Sequence, residues 1–122
     1  MMANCFYVGI GGFIGSVLRY LIGLLPVSPA DGFPIKTLCI NIIGSFVIAL
    51  VSALAAKNSS LSPQLVLLLK VGICGGFTTF STFAYDTSSL LQKGSVGIAV
   101  TYVLLSVVLS VLAVFGAEMM IK

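Results

Sequence analysis

The sequence is 122 residues long, 59% hydrophobic and only 7% charged, whereas a soluble domain carries about a quarter of its residues as Asp, Glu, Lys or Arg. A mean hydropathy of +1.22 therefore marks a surface that meets lipid rather than water. Six basic residues against three acidic ones and no histidine exclude a clustered nucleic-acid surface, and no base stands beside a Ser or Cys to activate it as an enzyme nucleophile.

A bilayer core takes about 20 apolar residues per helix, so four spans with short links use the whole chain as one all-α membrane domain, residues 1–122. A β-barrel would alternate in polarity over shorter segments, and these runs do not alternate. The first span is predicted over residues 4–25, ending before Pro26 and the turn-rich stretch Val27 to Gly32. No basic residue precedes Arg19, so this run reads as a span and not as a secretory leader. The second is predicted over 35–56, stopping at the polar turn Lys57-Asn58-Ser59-Ser60. The third starts just after Pro63, a residue suited to a helix start, and covers 64–91. The fourth covers 95–121. Short links make neighbouring spans antiparallel. Cys5, Cys39 and Cys74 lack CxxC spacing and read as small buried hydrophobes.

The third span is longer than a bilayer needs, and its middle reads Gly72-Ile73-Cys74-Gly75-Gly76-Phe77-Thr78-Thr79. Paired glycines followed by paired β-branched threonines make poor helix, so a break is expected near 75–79. A break frees backbone groups at mid-membrane depth, where they are tolerated only in a protein interior or along a polar cavity. Gly72 and Gly76 also form a GxxxG pair, which by itself signals close helix packing. The hydroxyls of Thr78, Thr79, Ser81 and Thr82 tilt the reading toward an ion site.

Polar groups inside spans are the best functional pointers in such a chain. Asn41 lies one turn beyond Thr37; it either bonds a neighbouring helix or serves a ligand. Tyr102, Ser106 and Ser110 recur every four residues, a stripe of hydroxyls on one face of an aliphatic helix. Phe80 and Phe83 share a face; they are either lipid-facing or packed rings, the commoner case in a membrane, or rings whose partly positive edges meet an anion. No carboxylate lies mid-span, since Asp31 falls in a loop, Asp86 in the outer third span and Glu118 near the chain end. Donors without buried acids favour an anion over a cation. A small multidrug or cation exporter, the main rival, needs an acid midway along the first span, where only Gly, Phe, Ile and Val occur around Gly9 to Gly15. A structural membrane protein, the second rival, needs neither the broken span nor the stripe.

Basic residues divide evenly, with Lys57, Lys70 and Lys122 toward one side and Arg19, Lys36 and Lys93 toward the other. The positive-inside rule then has nothing to act on, so insertion in both orientations and an antiparallel homodimer are expected. Four spans enclose little, so a transport path draws on two subunits or runs between them.

These residues resemble the small bacterial fluoride channels of the CrcB/Fluc type. The run Gly75-Gly76-Phe77-Thr78-Thr79-Phe80-Ser81-Thr82-Phe83 is similar to that family's third-helix hallmark. The stretch from Gly11 to Tyr20 resembles its first-helix motif, with Ser16 where Ala is usual. The stretch from Thr37 to Phe46 resembles its second-helix motif, with Ile40 where Val is expected. The Tyr102, Ser106, Ser110 stripe is similar to its polar track. The resemblance spans the chain and implies passive fluoride export through two pores of an antiparallel dimer in the bacterial inner membrane. It implies that Phe80 and Phe83 line the pore, that Asn41 donates to the ion, and that Ser81 and Thr82 add polar contacts. It further implies a polar track of Tyr102, Ser106 and Ser110, with Arg19 near the aqueous vestibule. A sodium ion at the dimer centre, held by the backbone carbonyls of Gly75 and Thr78, is implied as well. The choice of fluoride over chloride rests on the resemblance alone.

Overall fold

The computed structural model describes residues 1–121; Lys122, counted above toward one side, lies outside them. The fold is all-helical, with four stretches long and apolar enough to cross a membrane: Met2–Gly23, Ile35–Lys57, Pro63–Gln92 and Val96–Ile121. The first two and the last are single helices, named α1, α2 and α5. The third stretch is two helices. Its first half, α3 (residues 63–77), opens with the α-helical turn Pro63–Val66, widens into π-helix over Leu67–Cys74 and closes with Gly75–Phe77. Its second half, α4, is Phe80–Gln92.

Local chemistry sets the ends. Ser62 caps α3, its hydroxyl accepting from the Leu65 amide at 3.1 Å, with Pro63 in the first turn, where its missing N–H is no loss. The α4–α5 corner turns on Gly94 at φ +80°. The Gly94 amide reaches the Leu91 carbonyl at 3.1 Å and the Ser95 amide that of Leu90 at 2.9 Å, a Schellman closure. Three basic side chains sit on the negative ends of other helices. Lys36 Nζ donates to the Gly23 carbonyl closing α1 at 2.9 Å, and Lys57 Nζ to that of Ile121 closing α5 at 2.6 Å. Arg19 Nε donates to the Gly76 carbonyl near the end of α3 at 3.3 Å. Each places positive charge at the negative end of a helix dipole, and the Gly76 carbonyl, at the mid-stretch break, is the one lipid could not solvate.

Packing pairs α1 with α3, α2 with α5, and α4 with α5. The α1–α3 contact is backbone on backbone. A Cβ placed on Gly72 would lie 2.7 Å from Gly11 Cα, and one on Gly76 would lie 2.7 Å from the Gly12 carbonyl oxygen. A Cβ on Gly15 would collide with the Ile73 carbonyl and sit 2.8 Å from the Phe77 amide. The Gly72–Gly76 pair is thus a packing surface, and α1 buries only Gly11 and Gly15. Large side chains such as Phe6, Phe13 and Tyr20 point outward, as they must where the solvent is hydrocarbon.

The buried cluster joins Leu38 of α2, Leu90 of α4, and Ala99 and Tyr102 of α5. Cys74 is buried, but Cys5 and Cys39 are exposed on the single chain. The expectation that all three are buried is therefore corrected for two of them, since an outward apolar face in lipid needs no cover from the chain itself.

Gly72→Val should force α1 from α3 and lower stability by about 1–3 kcal/mol, the usual cost of overpacking. A drop in melting temperature of the detergent-purified protein would report it. Gly9→Ala is the control, because its Cβ meets open space.

Candidate functional site

The break falls midway along the third stretch. Thr78 (φ −79°, ψ 158°) and Thr79 (φ −152°, ψ 117°) are extended, so the helical ladder is interrupted there and its backbone groups need other partners. Asn41 of α2 supplies two of them. Its Oδ1 accepts from the Thr79 amide at 2.9 Å and its Nδ2 donates to the Thr79 carbonyl at 3.1 Å. The Thr79 hydroxyl caps α4, accepting from the Thr82 amide at 3.1 Å, and lies 3.3 Å from Ser81 Oγ. The Thr78 amide and hydroxyl both donate to the Cys74 carbonyl, at 3.0 and 2.8 Å. Gly44 makes room for the Thr78 methyl, which occupies the place of the absent Cβ. Among the described residues, no hydrogen bond reaches the carbonyl oxygens of Gly75 or Thr78.

Three cavities surround the break. One of about 170 Å³ is lined by Asn41, Phe80, Phe83, Ser106, Val107 and Ser110. It brings together five of the residues singled out in the sequence, from α2, α4 and α5. The Phe80 and Phe83 rings stand 5.6 Å apart. Ser106 is buried and its hydroxyl has no hydrogen-bond partner among the described residues. That is unusual, because a hydroxyl in a helix ordinarily bonds the carbonyl four residues back. Thr87 and Thr101 do so, to Phe83 and Gly97, both at 2.9 Å.

A second cavity, about 330 Å³, opens at the break between Asn41, Gly44, Ser45, Ile48, Cys74, Thr78, Thr79 and Phe80. A third, about 290 Å³, is lined by Arg19, Thr37, Thr79 and Thr82 among others. Thr82 thus lies in the Arg19 cavity, and Ser81 is exposed beside the cap of α4. Gly75 is also exposed.

Tyr102 is fully buried, and its hydroxyl donates to Asp86 Oδ2 at 3.1 Å. The third member of the stripe therefore turns to a carboxylate, while Ser106 and Ser110 face the smallest of these cavities. Sequence reading passed over Asp86 as an outer-span acid. Its signal was its place three residues after Phe83, on the same helix face.

A model of the family described as "CrcB-like protein, Camphor Resistance (CrcB)" matches residues 6–117. The chain belongs to this family. It is 43% identical over 122 residues to a protein of Chlorobaculum tepidum, covering 100% of this chain and 97% of the relative. It is 45% identical over 116 residues to one of Agrobacterium fabrum, covering 94% and 93%. A Rhizobium meliloti protein is 41% identical over 116 residues, again covering 94% and 93%. Each relative is named "Fluoride-specific ion channel FluC". With four apolar helices and this family, the chain is a multi-pass membrane protein.

Asn41→Ala should leave the half-buried Thr79 amide and carbonyl unpaired, at up to about 1–3 kcal/mol for each group. Thermal denaturation in detergent should show the loss. Ser45→Ala in the same cavity removes no hydrogen bond and should leave the melting temperature unchanged.

Proposed function

We propose that the chain is a fluoride-selective channel that lets fluoride leave the cell passively across the bacterial inner membrane. It is a channel and not an enzyme. The observation that carries the reading is the buried, unpartnered hydroxyl of Ser106 in a cavity with Ser110, Asn41 and the rings of Phe80 and Phe83. A buried hydroxyl without a partner costs about 1–3 kcal/mol, and a passing anion is the ligand a hydroxyl donor fits. Fluoride sheds a strongly held hydration shell on entry, so a row of donors must replace it. Names carried by relatives at above 40% identity over nearly the whole chain support fluoride as that anion.

Helix dipoles reinforce the assignment. The 13-residue α4 directs its amide end into the break, and α3 directs its carbonyl end to the same place. A broken transmembrane helix of this kind offers a positive end to an anion and free carbonyls to a cation. Ser81 and Thr82 stand in the first turn of α4, where their polar groups add to its positive end. Arg19 beside the 290 Å³ cavity would attract anions from the aqueous side, as a vestibule residue.

The working unit of this reading is a homodimer of opposite orientation. Polar groups open to the side at mid-depth cannot face lipid, and the break cavity with the exposed Gly75 needs a cover. A second, inverted copy provides one and encloses Phe80, whose side chain is 78% exposed on the single chain. The carbonyls of Gly75 and Thr78, free of hydrogen bonds, fit a sodium ion held between the two copies. Bound there, the ion would supply fixed positive charge near both anion paths.

Fluoride efflux from liposomes holding the purified protein, read with a fluoride electrode, tests the function. Rapid fluoride release with negligible chloride release is expected; release of neither ion from folded protein would return the chain to an exporter or structural role. In the same assay Ser106→Ala should lower fluoride flux while leaving stability equal or higher, because the orphaned hydroxyl is gone. Phe80→Ile and Phe83→Ile should also cut flux, and Asn41→Asp should abolish it by placing negative charge in an anion path. Cysteine tags placed at the C-terminus of a background without native cysteines should label from both faces of intact cells; labelling from one face alone would sink the inverted dimer.

A further inference from the structure

The connection between α1 and α2 is a braced arm. The Val27 amide donates to the Leu25 carbonyl at 2.8 Å, that of Gly32 to Pro29 at 3.0 Å, and that of Ile35 to Phe33 at 2.8 Å. Asp31 Oδ1 accepts from the Phe33 amide at 3.0 Å, and Gly32 takes the φ of +80° that the turn requires. Prolines 26, 29 and 34 stiffen the rest, and Lys36 ties the foot of α2 to the end of α1.

The arm delivers one aromatic ring, Phe33, into the bundle. Phe33 packs on the buried cluster of Leu38, Leu90, Ala99 and Tyr102. It meets the Tyr102 ring edge to face, centroids 5.7 Å apart at 83°. Tyr102 also meets Phe83, centroids 5.2 Å apart, and Phe83 meets Phe80 at 5.6 Å. Four rings therefore run without a gap from the connection between helices to the break. Two of them, Phe80 and Phe83, line the cavity that holds Ser106, which lies one turn along α5 from Tyr102.

We propose that Phe33 is a positioning residue for ion passage: held by the Asp31 turn, its ring clamps Tyr102 and so sets where Phe83 stands against the serines. The physical basis is that Tyr102 has contacts of two kinds. Its hydroxyl is fixed by Asp86 at 3.1 Å, which holds the tip of the ring but leaves rotation about its long axis free. Phe33 and Phe83 restrict that rotation together with the packed Leu38, Leu90 and Ala99, and edge-to-face geometry gives Phe33 an orientational preference an aliphatic side chain lacks. Loss of the clamp lets Tyr102 and Phe83 turn together. A misplacement on the order of an ångström in a functional constellation suffices to cost rate out of proportion to stability.

The inference rests on the channel reading above, and wild-type efflux in the same liposomes separates the two. Wild-type silence refutes the channel; wild-type flux with unaltered variants refutes only the clamp. Phe33→Leu keeps apolar bulk but removes the ring edge, and should reduce fluoride efflux by about tenfold with its melting temperature near that of the wild type. Phe33→Tyr keeps the ring and should restore efflux close to wild type. A role in packing alone would leave the Leu variant at full rate, and that result overturns the proposal, as does a Tyr variant as slow as Leu. Asp31→Ala, in an exposed turn outside the spans, keeps Phe33 while loosening its hold. Should Phe33→Leu fail to fold, reduced efflux in Asp31→Ala supports the clamp, and wild-type efflux in that variant overturns it.

Discussion

The structure depends on how the open backbone at Thr78 and Thr79 is satisfied without water. In hydrocarbon each unpaired amide or carbonyl costs several kcal/mol, so a break halfway along a membrane stretch survives only if nearly every freed group finds a partner. Asn41 is the central brace, since one amide side chain answers both backbone groups of Thr79. Its Nδ2 retains a second hydrogen, which leaves a donor over after the brace is made. The glycine contact serves the same end. Only because α1 lies backbone to backbone on α3 does Arg19 reach the Gly76 carbonyl. Bulk anywhere along Gly11, Gly15, Gly72 or Gly76 would draw that guanidinium away from the end of α3.

Satisfaction at the break is nearly complete but not total, and the remainder is informative. The amides of Thr78 and Thr79 are both answered, while among the described residues the Thr78 carbonyl takes no hydrogen bond. Carbonyl polarity thus remains at the end of α3, where Arg19 answers Gly76. On the other side of the break, α4 begins with its amide end and with hydroxyls in its first turn, a positive surplus that suits an anion. The two helix ends that meet at the interruption are therefore of opposite polarity. A continuous helix would cancel both surpluses in its own ladder.

The four spans, the start at Pro63 and the interruption after the paired glycines were legible because each follows from local chemistry: length in lipid, a proline that cannot donate, residues that resist helix. The Ser106–Ser110 stripe was legible from spacing, since residues four apart share a helix face. What sequence could not resolve were partners far apart in the chain. Asn41 and Thr79 are 38 positions apart, so a brace and a ligand donor look alike in a string of letters. Tyr102 continues the serine stripe by spacing, yet its hydroxyl turns to Asp86, because a tyrosine's reach carries the oxygen well beyond its own helix face. The π-helical widening over Leu67–Cys74 and the inward turn of Phe33 had no local signature at all. Phe33 is turned in by packing on the buried cluster, and the widened stretch is the part of α3 that lies against α1.

The cavity beside the break is walled by α2, α4 and α5 together. Its polar members differ in how far they are committed: Asn41 is bound twice to the break, while Ser106 is bound to nothing within the described chain. A site made only of committed groups would be stable and inert. One made only of free groups would cost too much to bury. The arrangement here fixes the aromatic walls and the brace, and leaves one buried hydroxyl open, with Ser110 one turn beyond it. An anion that accepts the unused hydrogen bond gains a contact there, and as one neutral donor among several the hydroxyl does not by itself trap it. In the channel reading proposed above, binding that is favourable yet transient is what conduction requires, and the imbalance between what is braced and what is left free is suited to it.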